Sequence, residues 1–395
     1  MVLFKDAKKP VIKHAAGTSA EAGAKRAVYV EKAAPCMEAC PSGTDVRKWL
    51  VAVAQHRAYG RTPMQAFEAA WQTILEHNPF PAICGRVCQH PCNLGCNRKS
   101  KDGAVAVNRL EQFIGDMAID RGFRAPLPAV LLEEKIAVVG AGPAGLAAAY
   151  HLARKGYRVT LFDAAPAAGG MMRYRIPRTV IPAEILDAEI ANILALGVEL
   201  RTNCAVGRDV SVDELRRQHA AVFFAMGLQK AAEIELRDGA DGLGVLAGTL
   251  PGGIPETPGE AAQQAEPKVV NSVSVAIAQG QRVAEAIAAF LQQRPFVPRT
   301  KGAAIRSEKL KLDWYKPAAP VQPASEALSQ EEALAEAARC MSCGMCMDCE
   351  TCWMYCSKNC FVKLAKGDHY KLKTELCNGC GKCVDSCPCG YIEMN

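Results

Sequence analysis

The sequence predicts a multidomain protein with an α-helical N-terminal unit, a central α/β unit and a small α+β unit at the C-terminus. Three observations carry that reading. Residues 45–56 and 63–77 place apolar side chains at helical spacing, with Pro and Gly between the runs. From Glu134 the pattern changes to short apolar strands alternating with Ala-rich helices. Twelve of the nineteen cysteines then fall in the last 56 residues. A chain of 395 residues exceeds one ordinary domain. Boundaries are expected at 1–125, 126–294, 295–328 and 329–395.

Composition narrows the function classes. Hydrophobic content of 50% and charged content of 22% belong to a globular chain with a real core. So many cysteines would suit a secreted disulfide scaffold, but such scaffolds are short and follow a signal peptide. The first 30 residues hold no apolar run of signal-peptide length, and no stretch has the ~18 apolar residues of a membrane span. The expectation is a reducing cytoplasm, with thiolates kept as metal ligands. The net charge of +6 is modest, and no basic patch interleaved with aromatics argues for nucleic acid. The basic stretch 299–316 reads as a solvated linker.

In the central unit, Lys135-Ile-Ala-Val-Val139 is a buried-strand run followed at once by Gly140-x-Gly142-x-x-Gly145 and a helix over 146–155. Gly140 permits the turn, Gly142 admits a pyrophosphate to the backbone, and Gly145 lets helix and strand pack. Pro143 and Ala144 complete the loop at the helix N-terminus, where phosphate charge is favoured. A second strand, 158–162, ends in Asp163, placed for the adenosine ribose. The order strand, turn, helix, strand, acid points to a dinucleotide rather than to a structural glycine turn.

After Leu291 come Pro295, Pro298, Pro317, Pro320 and Pro323 without periodicity, which predicts an extended tether. A short helix over 329–339 leads to the cysteines. Their runs are Cys346-x2-Cys349-x2-Cys352-x3-Cys356 and Cys377-x2-Cys380-x2-Cys383-x3-Cys387-Pro388. This is the spacing of a two-cluster bacterial ferredoxin, in which the fourth cysteine of each run ligates the other [4Fe–4S] cluster. One cluster is then assigned Cys346, Cys349, Cys352 and Cys387, and the other Cys356, Cys377, Cys380 and Cys383. Zinc is the alternative for C-x2-C pairs, and the doubled spacing with a closing Cys-Pro favours the cubanes.

Gly169-Gly170-Met171-Met172-Arg173-Tyr174-Arg175-Ile176-Pro177 resembles the segment after the second strand in flavoproteins of the glutamate synthase small-subunit family. There a Gly-Gly pair runs along the FAD. The strand 221–225, the run Val269-Val270-Asn271-Ser272 and residues 276–282 are similar to that family's next strand and closing FAD helix. The resemblance implies FAD held by Gly140, Gly142, Pro143, Ala144, Gly145, Asp163, Gly169 and Gly170. Glu260 stands where the family has Asp, one methylene shorter, and Arg175 where it has a small residue. Cys36-x3-Cys40-Pro41, and Asn78 through Cys84, Cys88, Cys92 and Cys96 to Arg98, resemble the helical iron–sulfur domain of the same proteins and of dihydropyrimidine dehydrogenase. By that resemblance Cys40, Cys88 and Cys92 hold one cluster with Glu111 as a fourth ligand.

A complete version of that domain holds a second cluster through a C-x2-C upstream, and no cysteine precedes Cys36 here. Cys36 and Cys96 are therefore read as remnants unless Cys84 rebuilds the site. Cys340, Cys343, Cys360 and Cys389 are read as buried or neighbouring thiols, and His90 as a surface or neighbouring residue. Three cubanes are expected, with a second N-terminal one as the alternative. The family also inserts an NAD(P)H-binding Rossmann unit within the FAD domain. Only 31 residues, 228–258, occupy that place, where a half-domain needs on the order of 100, and their Gly and Pro predict an irregular connector.

The resemblance, which extends to flavoproteins with a C-terminal ferredoxin such as the sulfite-reductase-associated kind, implies an electron-transfer subunit of a larger oxidoreductase complex. A 2-oxoacid, sulfite or aldehyde oxidoreductase, or a ferredoxin, would be a suitable partner. Three alternatives stand: an NAD(P)H:acceptor oxidoreductase subunit with the nucleotide supplied through a partner, a scaffold with a degenerate FAD site, and a cluster carrier.

Overall fold

The computed structural model describes residues 23–227, 245–247, 273–300, 302–322, 327–365 and 369–395. Strand β1 (Ala27–Tyr29) leads into helices α1 (Pro35–Ala39), α2 (Val46–Ala54), α3 (Pro63–Leu75), α4 (Pro81–Val87), α5 (Pro91–Gly95) and α6 (Val107–Asp120). Their starts follow from local chemistry. The Asp45 carboxylate accepts from the Lys48 amide ahead of α2, and Thr62 with Gln65 forms a capping box ahead of α3. The apolar faces predicted from helical spacing meet in a core that includes Trp49, Phe67, Ile74, Phe80, Ile83 and Leu110. Gly85 of α4 and Gly115 of α6 let two backbones touch. A Cβ on Gly85 would stand 2.4 Å from the Gln112 nitrogen, and one on Gly115 2.2 Å from that of Ala82. That close approach draws Glu111 toward the α4 cysteines.

The central unit comprises β2 (Lys135–Val139), α7 (Pro143–Arg154), β3 (Arg158–Phe162), α8 (Met171–Tyr174), α9 (Ala183–Leu194), β4 (Glu199–Arg201), α10 (Val212–Gln218), β5 (Ala221–Phe224), β6 (Val245–Ala247) and α11 (Val273–Leu291). Its strands form a parallel five-stranded sheet in the order β4-β3-β2-β5-β6. Because side chains alternate along a strand, Ile136, Val138 and Leu161 join the layer of α7 and α11, while Ala137, Val139 and Phe162 join Leu215 of α10. The chain leaves β2 toward β3 on one side and returns to β5 on the other. A ligand crevice is expected at the carboxyl ends of strands at such a reversal. β6 corrects the reading of 228–258 as wholly irregular: a short apolar run pairs with the open edge of β5, and the surrounding Gly and Pro hid it. Glu260, Gly242, Gly244 and the run 269–272 lie outside the described residues.

The C-terminal unit comprises α12 (Gln330–Ala337), α13 (Thr351–Tyr355), β7 (Phe361–Lys363), β8 (Tyr370–Leu372), α14 (Lys382–Ser386) and β9 (Ile392–Met394). β7 pairs antiparallel with β8, and β9 with β1, Tyr29 opposite Ile392. The first described strand of the chain therefore completes its last unit, a pairing that no local pattern announces. The described part of the proline-rich segment carries 3₁₀ turns at Ser307–Lys309 and Leu312–Trp314 and is not a free tether. Ile305, Leu310 and Tyr315 are buried with Val51, Met341 and Met347, and the Tyr315 hydroxyl donates to the Met341 carbonyl at 2.8 Å.

A buried ionic network joins these parts. Glu336 is fully buried and accepts from Arg339 at 2.6 Å and from the Ala106 and Val321 amides, both at 2.8 Å. Arg339 also reaches Asp102, which Arg98 grips through both carboxylate oxygens, and the Arg98 guanidinium donates to the Arg339 carbonyl. The Arg98 hydrogen bonds hold the Asp102 carboxyl well below the usual carboxylate range. Removing one partner from such a network strands buried donors. Glu336→Ala should cost about 3–5 kcal/mol of stability, measured by urea denaturation of the anaerobic protein. An unchanged midpoint would show that the network contributes nothing net.

Candidate redox-cofactor sites

The glycine loop between β2 and α7 separates fold requirements from ligand requirements. A Cβ on Gly145 would come 1.8 Å from the Gly140 carbonyl oxygen, so packing alone demands glycine there. Gly142 is different. Its backbone is extended (φ −82°, ψ −177°), and the nearest atom to an added Cβ is the Gly170 Cα at 3.9 Å. Neither sterics nor conformation requires glycine at this position, which fits a backbone kept bare for a bound group. Gly169 donates to the Ala141 carbonyl at 2.8 Å and so brings the Gly169-Gly170 turn against the loop. Asp163 ends β3, accepting from the Ala141 amide at 2.6 Å and the Ala165 amide at 2.8 Å. Each of its oxygens keeps a second lone pair for a ribose hydroxyl. Pro143 and Ala144 form the first turn of α7.

At the C-terminus the two thiol sets expected from the spacing gather separately. Cys346, Cys349, Cys352 and Cys387 line one hollow, together with Cys389, Tyr29 and Tyr391. Cys356, Cys377, Cys380 and Cys383 line another, together with Cys360. In each set the fourth cysteine comes from the other run. Burial pushes the Cys346, Cys349 and Cys352 thiols up, and that of Cys383 to about 11. Cys387 instead is held down to about 6, chiefly because the Cys389 thiol, 3.8 Å away, donates to it. Ligand thiols must ionise, and buried ones do so only with a compensating cation. Cys346 also lies with Asp348 and His369 in a group whose ligand atoms are all within 4.8 Å of one another. Within it the His369 Nδ1 meets the Asp348 carboxylate at 2.7 Å.

In the helical unit, Cys88 ends α4, Cys92 lies in α5, and Cys40 follows α1. Burial is the main reason that the Cys88 and Cys92 thiols are pushed up, and the charges of Glu111 and Cys40 act on both. These four predicted ligands therefore lie near one another. Glu111 is half-buried, accepts from the Asn78 amide group at 3.0 Å, and is pushed up to about 7 by desolvation. Ser274 of α11, unmarked in the sequence, hydrogen-bonds to the Cys88 thiol, so the Rossmann unit's last helix touches this set. Cys84 is nearby, deeply buried and pushed well above its ordinary value by that burial. His90 holds a left-handed turn between Cys88 and Cys92, as a loop residue. Cys36, Cys96, Cys340 and Cys343, read as remnants and surplus thiols, also face one another.

Residues 4–123 match the family described as dihydropyrimidine dehydrogenase domain II, 4Fe-4S cluster, and residues 138–193 match the NAD(P)-binding Rossmann-like domain. The chain is 36% identical over 262 residues to the NADP(+)-dependent formate dehydrogenase subunit beta of Moorella thermoacetica, covering 61% of this chain and 35% of that protein. It is 35% identical over 219 residues to the glutamate synthase [NADPH] small chain of Azospirillum brasilense, covering 54% and 43%. This chain is a relative of the glutamate synthase small chain. The Escherichia coli K12 subunit PreT of NAD-dependent dihydropyrimidine dehydrogenase is 35% identical over 210 residues, covering 53% and 49%. The chain thus spans half or less of the length of these relatives. It carries their iron–sulfur and Rossmann-type domains, and among the described residues no helix is long and apolar enough to cross a membrane.

Gly142→Val should leave folding intact and abolish retention of a bound dinucleotide, whereas Gly145→Val should lower the melting temperature. Cofactor released on heating, together with circular dichroism melts, reads both. A Gly142→Val protein with full cofactor would misplace the site. In metal-stripped protein, Glu111 keeps its proton to about 7 when folded, against an ordinary 4.5. The unfolded chain releases that proton first, so stability should fall as pH rises through this window and level off above it. Glu111→Gln should remove the slope, and a slope that persists would assign it to other groups.

Proposed function

We propose that the chain is an electron-transfer iron–sulfur flavoprotein subunit of a larger oxidoreductase complex. FAD lies in the crevice above Gly140, Gly142 and Gly145, [4Fe–4S] clusters lie in the two C-terminal hollows, and another lies among Cys40, Cys88, Cys92 and Glu111. The observation that supports this best is the sorting of the eight C-terminal thiols into two hollows, each with three from one run and one from the other. The cofactors carry the redox chemistry, and the protein contributes spacing and potential. Each buried set of thiolates holds a cubane, which takes one electron at a time. Asp163 accepts from the adenosine ribose, and the contact of Ser274 with Cys88 brings the flavin unit against the first cluster. The partner with which the chain exchanges electrons is a 2-oxoacid, sulfite or aldehyde oxidoreductase, or a ferredoxin.

A second reading has specific support. The match of 138–193 to an NAD(P)-binding Rossmann-like domain, and the NAD(P) in the relatives' names, favour a pyridine nucleotide in the same crevice. Asp163 suits an unphosphorylated ribose, hence FAD or NAD over NADP. The identity of the cofactor released on heating decides between the two readings.

Hydride transfer to a flavin needs a nicotinamide held against its ring by a second phosphate turn. The 31 residues of 228–258 offer little room for one. The chain alone should therefore be reduced by dithionite or reduced ferredoxin, and by NADH or NADPH only slowly and without saturation. Anaerobic stopped-flow absorption measures this, and saturable reduction at micromolar NADH would make the chain a dehydrogenase in its own right.

A further inference from the structure

Cys36, Cys96, Cys340 and Cys343 lie outside every site assigned above. Cys36 opens α1, Cys96 ends α5, and Cys340 and Cys343 form a C-x2-C after α12. Hydrogen bonds and packing on either side of them draw these segments together. Pro35 packs on Gly95, whose added Cβ would stand 3.2 Å from the Pro35 carbonyl oxygen. The Arg98 guanidinium donates to the Arg339 carbonyl at 3.0 Å, and the Lys32 amide to the Gly344 carbonyl at 3.0 Å. The Arg47 guanidinium donates to the Cys343 carbonyl at 2.9 Å, and the Asn97 side chain hydrogen-bonds to the Cys343 thiol. Cys36 is thus flanked on both sides, and Cys96 followed, by residues that hold the 339–344 loop. The thiols sense one another as well: burial dominates at Cys36, followed by the charges of Cys340, Cys343 and Cys96.

The conformation of the loop is the second observation. In the assigned ligand loops the residue two after a cysteine takes a left-handed turn: His90 after Cys88 (φ 53°), Asp348 after Cys346 (φ 54°) and Gly379 after Cys377 (φ 76°). That turn points a backbone N–H at the sulfur, at 3.4 Å for both His90 to Cys88 and Gly379 to Cys377. Ser342 repeats it after Cys340, with φ 48° and its N–H 3.5 Å from the Cys340 sulfur. A fully buried serine adopts this conformation only where its surroundings impose it. The quartet is too open for one zinc ion. Zn–S bonds of about 2.3 Å put tetrahedral thiolates about 3.8 Å apart, and among the described residues no three thiols lie within 4.8 Å of one another.

We infer that Cys36, Cys96, Cys340 and Cys343 hold a further [4Fe–4S] cluster, its C-x2-C pair delivered from the C-terminal side of the chain. This site rests on the electron-transfer reading for its role but not for its existence. It has neighbours in both other ligand groups. Cys92 is among the charges felt by Cys36, and Tyr315 is buried where the charges of Cys340, Cys343, Cys349 and Cys389 all act on it. A cluster held there would supply a one-electron centre that exchanges electrons with the N-terminal and C-terminal sets, gaining and losing one electron with no other reactant consumed. The buried Arg47 guanidinium donates to the Cys343 carbonyl beside this set.

The test is iron content with low-temperature EPR of the dithionite-reduced, anaerobically purified full chain. Wild type should carry about sixteen iron atoms, four per cubane. Cys36→Ser and Cys343→Ser, on different elements, should each lose about four and the same EPR component, and the double variant should lose no more than either alone. Wild type at about twelve, single variants that retain all their iron, or one zinc per chain lost on substitution would overturn the inference. Cys380→Ser is the control for the C-terminal assignment. If it keeps full iron, that reading fails while the site at Cys36, Cys96, Cys340 and Cys343 stands or falls on its own variants.

Discussion

The guanidinium of Arg47 is 2% exposed and donates to the carbonyls of Lys32 and Cys343, 296 positions apart from it in the second case. It also pairs with Glu31 at 2.6 Å and Asp45 at 3.3 Å. Taking a guanidinium out of water is costly unless its donors are met, and here groups from the N-terminal arm, the start of α2 and the cysteine loop meet them. The same arm carries β1 to β9 and, through the Ile305 amide bonded to the Ala33 carbonyl, holds the proline-rich segment. The helical and C-terminal units are therefore one packed body around a set of thiols. The proposed relay of one-electron centres would need fixed spacing, which the packing around this cation would provide.

The thiols impose the complementary constraint. Burial raises nearly every one whose ionisation is perturbed, to about 12 at Cys340 and about 11 at Cys343 and Cys383. Such sites are stable as bare thiols or as loaded clusters, and unstable as bare thiolates. Cys387, held low by its neighbour Cys389, is the exception. A thiol donor to a ligand sulfur is also one of the levers that set a cluster's potential. On the proposed reading, Cys389 would tune the cluster held by Cys387 rather than ligate it.

Much of this was legible where the signal is local. The bounds of β2 and β3 follow from apolar runs ended by glycine and by Asp163, and the Ser329 cap of α12 stands at the expected start. The exchange of fourth cysteines between the two C-terminal runs followed from their doubled spacing alone. The convergence of Cys40, Cys88, Cys92 and Glu111 required a resemblance, because Gly85 and Gly115 draw α4 and α6 together without leaving a periodic mark. What depends on segments meeting across most of the chain left no mark either: β1 against β9, the burial of Ile305 and Tyr315, and the approach of Cys340 and Cys343 to Cys36. The left-handed serine within Cys340-x-Ser342-Cys343 is visible only in the backbone.

The central claim is that four nests of buried ligands hold a continuous set of cubanes from the Rossmann unit to β9. Anomalous diffraction at the iron edge from anaerobically grown crystals tests it most directly. The account predicts a four-iron peak in each nest, including one enclosed by Cys36, Cys96, Cys340 and Cys343. An empty nest at that position, or single-metal peaks at the zinc edge in place of iron, would contradict it.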